Sequence, residues 1–523
     1  MRIEFIKSSS DIKKDMKCIS SIGRISRSKK TLKENYKDIE LEDHLKFNER
    51  WYKESNHRSL GDLASIHLDI SGISIIAAKL LEIARIGVGF CEFSTRYVDI
   101  EKNNFEDLYY TPTWLDKDNE ELKNYKVITE MHFNAYKTVK NKINKKLKDE
   151  FGKEINKKNG IKLLDEKEIL DNARYSLPTN TKVGLGIHCN VRALESIMIK
   201  MKWYSIIFSE ADLIYKELRK LVLKNKAVLS TINIEKIDSI DTTKAWFDNN
   251  NRIYWDLIPL FHELSLNENL SAFADKFFEK IEMTAKNQIY PYLNSYDKSS
   301  ILPNKSVYFS NSILSKYLKN IKEKDLFHNE NLYIPRLFEL INFSYDCEID
   351  FGSFRDISRH RICSMIYTPI PIRFVSANDY FTDSYYLSPI MTQVRKLRNK
   401  NKKKLSKSLP DDLLFLDYNQ FQLRRYSSCV NIKNQFDQKS IITGSYYYND
   451  INKMKAFFRC IEYLAYTQPL SAQIDFILDL NLREAIKIVN QRETKYGHPS
   501  YVEFARKLRE NIEIALYNYK RLQ

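Results

Sequence analysis

A chain of 523 residues, 43% of them hydrophobic, is too apolar to be disordered and too long for one ordinary core, so two or three domains are expected. A net charge of +16 favours anionic partners such as nucleotides, nucleic acid or phosphorylated cofactors. That inference is tempered because Lys, Asn, Ile and Tyr are abundant throughout while Gly and Pro are scarce, as an AT-rich genome produces without selection for charge.

The opening "RIEFI" reads as a short strand, and basic, loop-like sequence follows to about residue 40. No apolar run of signal-peptide length starts the chain. Between Ser74 and Ile86, Ile75, Ile76, Leu80, Leu81 and Ile83 recur at helical spacing and predict a buried helix. Lys79, Glu82 and Arg85 make this stretch a poor membrane span. The sequence "GVGF" stops the helix, and "GFCEFSTRYVDI" then alternates polar and apolar residues. Residues 117 to 160 are Lys-rich and read as exposed helix and loop. Helical patterns return from about 190 to 225, a helical connector runs to about 300, and "LPNKSVYFSN" offers a turn and a strand.

The seven cysteines form no Cys-x-x-Cys pair, so neither a zinc site nor a disulfide framework is expected. A reducing, cytoplasmic compartment fits best, and no metal is called for. The run "RKLRNKNKKKLSK" (395 to 407) reads as a solvated face, because no aromatic platform interleaves its charges for nucleic acid. A weak internal repeat is also present. Pro178 is followed twelve residues later by Asn190-Val191-Arg192, and Pro469 by Asn481-Leu482-Arg483.

Three clusters carry candidate chemistry. In an extended segment Glu92, Ser94 and Arg96 project to one side. There they either form a polar strand face or grip a nucleotide, with Arg96 bidentate on a phosphate. Arg359, His360 and Arg361 are consecutive, so a helix would fan them apart, whereas a helix end would let them surround a polyanion. Asn190, Arg192, Asn481, Arg483 and Arg492 lie near the two prolines, with Arg174 four residues before Pro178. Arg483 and Arg492 are nine residues apart and point opposite ways on one ideal helix. Alone, the second cluster is also compatible with a solvated basic turn, and the third with helix-surface arginines in ordinary ion pairs.

As a set, these motifs resemble the flavin-dependent thymidylate synthases (ThyX). That family carries Arg-His-Arg-x-x-Ser, Glu-x-Ser-x-Arg-Tyr, Ala-Arg before Leu-Pro, Asn-x-Arg and a further arginine. It also has an upstream His-x-Ser/Thr with an acid three residues on. Here His57, Ser59 and Asp62, then Glu92, Ser94, Arg96 and Tyr97, then Arg174 and Pro178, then Asn190 and Arg192 follow in order. The first half nevertheless keeps only Arg85 of the Arg-His-Arg and has Met201 where the last arginine belongs. The second half keeps Arg359, His360, Arg361 and Ser364, then Asn481, Arg483 and Arg492. It has Tyr367, Pro369 and Pro371 in place of Glu-x-Ser-x-Arg, and Ala465 in place of the Ala-Arg arginine.

The resemblance implies an α+β fold. It would be a duplicated ThyX-like unit, each copy a mixed β-sheet with long flanking helices, the two related by a pseudo-twofold. The domains would be 1–225, a connector 226–300, and 301–523. The implied activity moves a one-carbon unit from methylenetetrahydrofolate to C5 of dUMP with reduced FAD and NADPH. Glu92, Ser94, Arg96, Arg174 and Arg492 would bind dUMP, and Arg492 and Arg96 would be catalytic. His57, Ser59, Arg359, His360, Arg361, Asn190, Arg192, Asn481 and Arg483 would line FAD. The chain would act as a homodimer imitating the family tetramer. A catalytically degenerate relative that binds nucleotides or nucleic acid is the alternative.

Overall fold

The computed structural model describes residues 1–25, 28–55, 58–82, 87–95, 100, 107–115, 120–155, 165–242, 326–327, 336–360, 362–367, 424–425, 427–429, 431–432, 451–494 and 499–521. The basic run 395–407, the segment 302–311, and His57, Arg85, Arg96, Tyr97 and Arg361 lie outside the described residues.

The described chain forms two compact units, and neither is a simple half of the sequence. Unit 1 takes the described parts of Met1–Tyr125, Thr179–Asn251 and Asn431–Thr467. Unit 2 takes those of Lys126–Pro178, Arg252–Val430 and Gln468–Gln523.

In unit 1, strand β1 (Arg2–Phe5) is followed by helices α1 (Ser9–Ile25), α2 (Leu32–Asp38) and α3 (Leu41–Asn48). The expected basic loop is therefore helical. Ile12, Met16 and Ile19 share one face and are buried, so the apolar stripe, not the surrounding lysines, decides the structure. Thr31 and Glu34 close α2 with a reciprocal capping box. Next come β2 (Ser65–Ser74), α4 (Ile75–Glu82) and β3 (Val88–Glu92). Every residue of α4 is buried, the apolar ones as their spacing predicts and Lys79 and Glu82 as an ion pair at 3.6 Å.

Helix α5 (Glu120–Ile155) begins at the end of unit 1 and continues into unit 2. Its first half is not an exposed surface: Ile128, Phe133, Tyr136 and Val139 are buried at helical spacing. Helix α6 (Glu166–Ala173) and a short 3-10 turn at Arg174–Ser176 complete the contribution of the first half to unit 2. Unit 1 resumes with β4 (Lys182–Asn190), α7 (Val191–Tyr204), α8 (Ser209–Lys224), α9 (Lys226–Leu229) and α10 (Ile234–Asp238). The sheet order is β1-β2-β4-β3, with all described pairings antiparallel. Strand β2 carries a bulge between Ser71 and Ile73, where Gly72 takes a positive φ of 70°.

Unit 2 holds β5 (Asn342–Asp350), α11 (Phe351–Ile357) and β6 (Ser364–Tyr367). Helix α12 (Ile451–Tyr466) belongs to unit 1, although it lies in the second half of the sequence. Strand β7 (Gln473–Asn481) and helices α13 (Leu482–Arg492) and α14 (Pro499–Arg521) return to unit 2. The sheet order is β5-β7-β6, again antiparallel.

The two sheets share one logic. Strands β2 and β3 run the same way but β4 lies between them, as β7 lies between β5 and β6. The expected mixed sheets are thus antiparallel, because the return strand separates the two strands that could have paired in parallel. Ser65 pairs with Asn190 and Asn342 with Asn481, so the register places each Asn-x-Arg motif at the same sheet end. The core of unit 1 includes Ile66, Leu68, Ile70, Leu185 and Ile187, and that of unit 2 includes Phe343, Phe476, Leu478 and Phe354.

Candidate functional site

A cluster of charged side chains lies in unit 2, where α11 ends. Asp350 caps α11 by accepting from the Ser353 amide at 2.6 Å. Asp356 falls in the last turn, and Arg359 comes three residues later, with its Nη1 3.5 Å from Asp356 Oδ1. Arg174 arrives from the turn after α6, its Nε 2.9 Å from Asp171 and its Nη2 3.9 Å from Asp356. Arg492, at the end of α13, donates from Nη2 to the Asp356 carbonyl at 2.7 Å and from Nε to His360 Nε2 at 3.3 Å.

Arginine only donates, so His360 Nε2 accepts from Arg492, while its Nδ1 faces Glu484 at 3.9 Å. Burial pushes the Asp356 carboxyl up, but Arg174, Arg359, Arg492 and Arg355 together hold it below the usual aspartate value. Burial likewise opposes the Arg174 charge, and Tyr175, Asp171, Asp356 and Asp350 more than offset it. Arg174 is almost wholly buried, whereas the Arg359 side chain is 36% exposed. Arg174 is thus held in place by buried acids, while Arg359 reaches solvent.

The backbone holds Arg174 in place. Leu470 donates to the Leu177 carbonyl at 2.9 Å and Ser471 to the Tyr175 carbonyl at 3.1 Å, while Pro178 and Pro469 form a bridge. Tyr175 packs so closely on α11 that a Cβ at Gly352 would lie 2.8 Å from its ring, so that position is confined to glycine. The Tyr175 hydroxyl bonds to Ser353 Oγ at 3.0 Å, and the Arg174 guanidinium stacks over the Tyr175 ring at 5.0 Å. Helix α13 carries both arginines of its motif, and they diverge as nine-residue spacing predicts. Arg492 joins this cluster, while Arg483 pairs with Glu339 of the 3-10 helix Arg336–Leu340.

Unit 1 repeats the second arrangement. Asn190 caps α7, accepting from the Ala193 amide at 2.8 Å, and donates to Asp62 at 2.9 Å. Arg192 lies 3.6 Å from Asp62, which belongs to the 3-10 helix Arg58–Leu63 that also carries the exposed Ser59. Asn481 caps α13 in the same way, accepting from the Glu484 amide at 2.9 Å. Both asparagines thus begin a helix, and both following arginines pair with an acid from a 3-10 helix. Gly87 has φ +79°, and a Cβ there would lie 2.2 Å from Asn190 Nδ2.

Strand β3 stops at Glu92, so Ser94 lies beyond the sheet rather than on one continuous extended face with it. Glu92 and Ser94 are half-buried, and Thr95 is buried. Among the described residues, the structure therefore brings together Arg174, Arg359, His360 and Arg492 in unit 2, and Asn190 and Arg192 near Ser59 in unit 1. Sequence reading missed Asp171, Asp356, Glu339 and Glu484, the acids that organise these groups. Asp171 to Arg174 and Asp356 to Arg359 are both three-residue steps, a helical spacing that would have revealed them. No group of three or more metal-ligating side chains occurs among the described residues.

Similarity to known proteins points the same way as the motifs. Residues 9–225 match the family model of the Thymidylate synthase complementing protein. The UPF0159 protein Ta1429 of Thermoplasma acidophilum is 23% identical over 365 residues, covering 64% of this chain and 70% of its own length. A UPF0159 protein of Chlamydia muridarum is 25% identical over 323 residues, covering 58% of this chain and only 57% of its own. Thymidylate Synthase X (ThyX) of Helicobacter pylori, solved with FAD and dUMP, aligns at 16% identity over 42% of this chain and 93% of its own. Its TM-score is 0.27, so the superposition adds nothing to the assignment. The family match and the ordered motifs fall on the same stretch, residues 9–225, which is similar to the thymidylate synthase complementing protein family.

Proposed function

We propose that the chain is a flavin-dependent thymidylate synthase-like enzyme built from two divergent ThyX-like halves, 1–225 and 301–523, joined by the connector 226–300. The observation that carries this reading is the unit 2 cluster. Arg174, retained by the first half and lost as Ala465 in the second, meets Arg359, His360 and Arg492, which the second half retains. Decay of an unused site would not spare complementary parts and leave them within one compact unit.

The donor set suits the ligands. FAD carries a diphosphate and dUMP a phosphate, and Arg359, Arg174 and Arg492 provide cations beside one organising carboxylate. When bound, reduced flavin supplies the reducing equivalents of the transfer, with NADPH and methylenetetrahydrofolate as co-substrates. The chain's own residues orient and charge-stabilise. Arg174 is the unit 2 candidate for holding a nucleotide phosphate, and Glu92, Ser94 and Arg96 are, by the same resemblance, the candidates of the first half for phosphate and sugar. Arg492, kept in place by His360 and the Asp356 carbonyl, stabilises negative charge on the pyrimidine. Arg359, His360, Arg361, Asn481 and Arg483 are the flavin-facing candidates of unit 2 in this reading, and His57, Ser59, Asn190 and Arg192 are those of unit 1. No cysteine nucleophile is required.

The test is dTMP formation by the purified chain supplied with FAD, NADPH, methylenetetrahydrofolate and dUMP. The reading expects turnover that Arg492→Ala lowers by at least ~100-fold, the scale of removing one charge-stabilising donor. A folded protein that binds FAD and dUMP yet forms no dTMP would refute the enzymatic claim.

A further inference from the structure

The two proline-linked turns occupy matching positions in the sequence repeat, and their chemistry is opposite. In unit 2, Asp171 and Arg174 lie three residues apart and pair at 2.9 Å. In unit 1, Glu462 and Ala465 stand at the same separation before Pro469, so the acid remains and its arginine is gone. Eleven residues beyond the capping asparagine, unit 2 has Arg492, whereas unit 1 has Met201, fully buried. Tyr175 and Tyr466 also correspond. Tyr175 bonds Ser353 near the start of α11, and Tyr466 donates at 2.8 Å to Glu210, which accepts from the Ser74 amide and hydroxyl at the start of α4.

The abandoned acid has been re-partnered by neutral donors. Glu462 accepts from the Ser209 amide and hydroxyl, each at 2.7 Å, and from Trp114 Nε1 at 2.5 Å. Glu210 is the next residue of α8, so the two carboxyls lie side by side in a buried nest. The Tyr466 ring packs tilted against Tyr110 at 5.3 Å and edge-on against Phe208 at 5.9 Å. Arg459 stacks on the Trp114 ring at 5.2 Å, and Lys182 also acts on Glu210. Burial raises both carboxyls, that of Glu462 to about 7.

We propose that each chain binds one phosphate-bearing nucleotide, at the Arg174–Arg359–Arg492 cluster of unit 2, and that the matching place in unit 1 has become a carboxylate lock closed to such ligands. The proposal rests on the nucleotide-binding reading above and adds its stoichiometry. Two carboxyls wrapped in hydrogen bonds offer a phosphate neither charge nor donors. They instead tie α12 of the second half to α8 of the first, so the position that lost its ligand gained a structural bond.

Calorimetric titration of the full chain with dUMP, with and without saturating FAD, tests this. The expected result is one dUMP per chain, weakened at least ~30-fold by Arg174→Ala, the loss typical of truncating one partner of a buried charge pair. Arg174→Lys serves if the alanine variant does not fold. Glu462→Gln, outside the binding cluster, should leave the stoichiometry at one. Two dUMP per chain, or one site that survives Arg174→Ala or disappears in Glu462→Gln, would overturn the proposal and leave the nucleotide reading standing. No dUMP binding to the folded wild-type chain would overturn both.

Discussion

The turn before Pro178 and the turn before Pro469 show how a buried acid behaves with and without its arginine. Before Pro178 the buried charge is balanced: Arg174 faces Asp171 and Asp356, and the further cations Arg359 and Arg492 gather around the same Asp356. Before Pro469, Ala465 stands at the arginine's position; burial raises the Glu462 carboxyl, and neutral donors and a partly retained proton satisfy it. A buried acid next to an arginine organises a site. The same acid without its arginine becomes a fastener.

The most damaging way to break this contrast is Arg174→Ala. It takes the paired guanidinium from buried Asp171 and one of several cations from Asp356, and should cost about 3–5 kcal/mol in urea unfolding, with Arg174→Lys losing less. Next is Glu462→Gln, read against pH. The folded state holds the Glu462 proton more tightly than the unfolded chain, so its stabilising effect is complete below about pH 4.5 and is lost as pH rises to about 7. Wild type should therefore lose roughly 3 kcal/mol relative to Glu462→Gln between pH 4.5 and 7.5. Parallel unfolding profiles of the two proteins would contradict the raised carboxyl. Gly87→Ala should destabilise by about 1–3 kcal/mol, because it strains a positive φ and crowds Asn190. Asn481→Ala should cost about 1 kcal/mol as a lost helix cap. Asn190→Ala should cost somewhat more, since it also breaks the bond to Asp62.

Much of the architecture was legible. The apolar run of α4, the strand at the N-terminus and the repeated Pro-to-Asn spacing follow from local periodicity, which sequence carries directly. Helix α1 was missed because its lysines hide a narrow stripe of Ile12, Met16 and Ile19. The composition of the units was not legible at all. That α6 joins the second half's sheet unit, and α12 the first half's, depends on contacts distant in sequence, and no local pattern reports them. At the candidate site, the motif arginines were visible but their organising acids were not. Asp356 acquires meaning only when Arg174 and Arg492, hundreds of residues apart in sequence, arrive beside it. Asn190 and Asn481 were read as flavin-lining, and the fold gives each a helix to cap, a role that leaves the ligand assignment as proposed.

The central claim is that the unit 2 cluster is a working flavin and nucleotide site. The direct measurement is the visible absorption spectrum of the full chain with added FAD, titrated with dUMP, for wild type beside Arg492→Ala. The account predicts a protein-bound flavin spectrum that dUMP perturbs in wild type, and a bound flavin largely insensitive to dUMP in the variant. A folded wild-type chain that binds no FAD at any concentration, or a variant that responds to dUMP as wild type does, would contradict it.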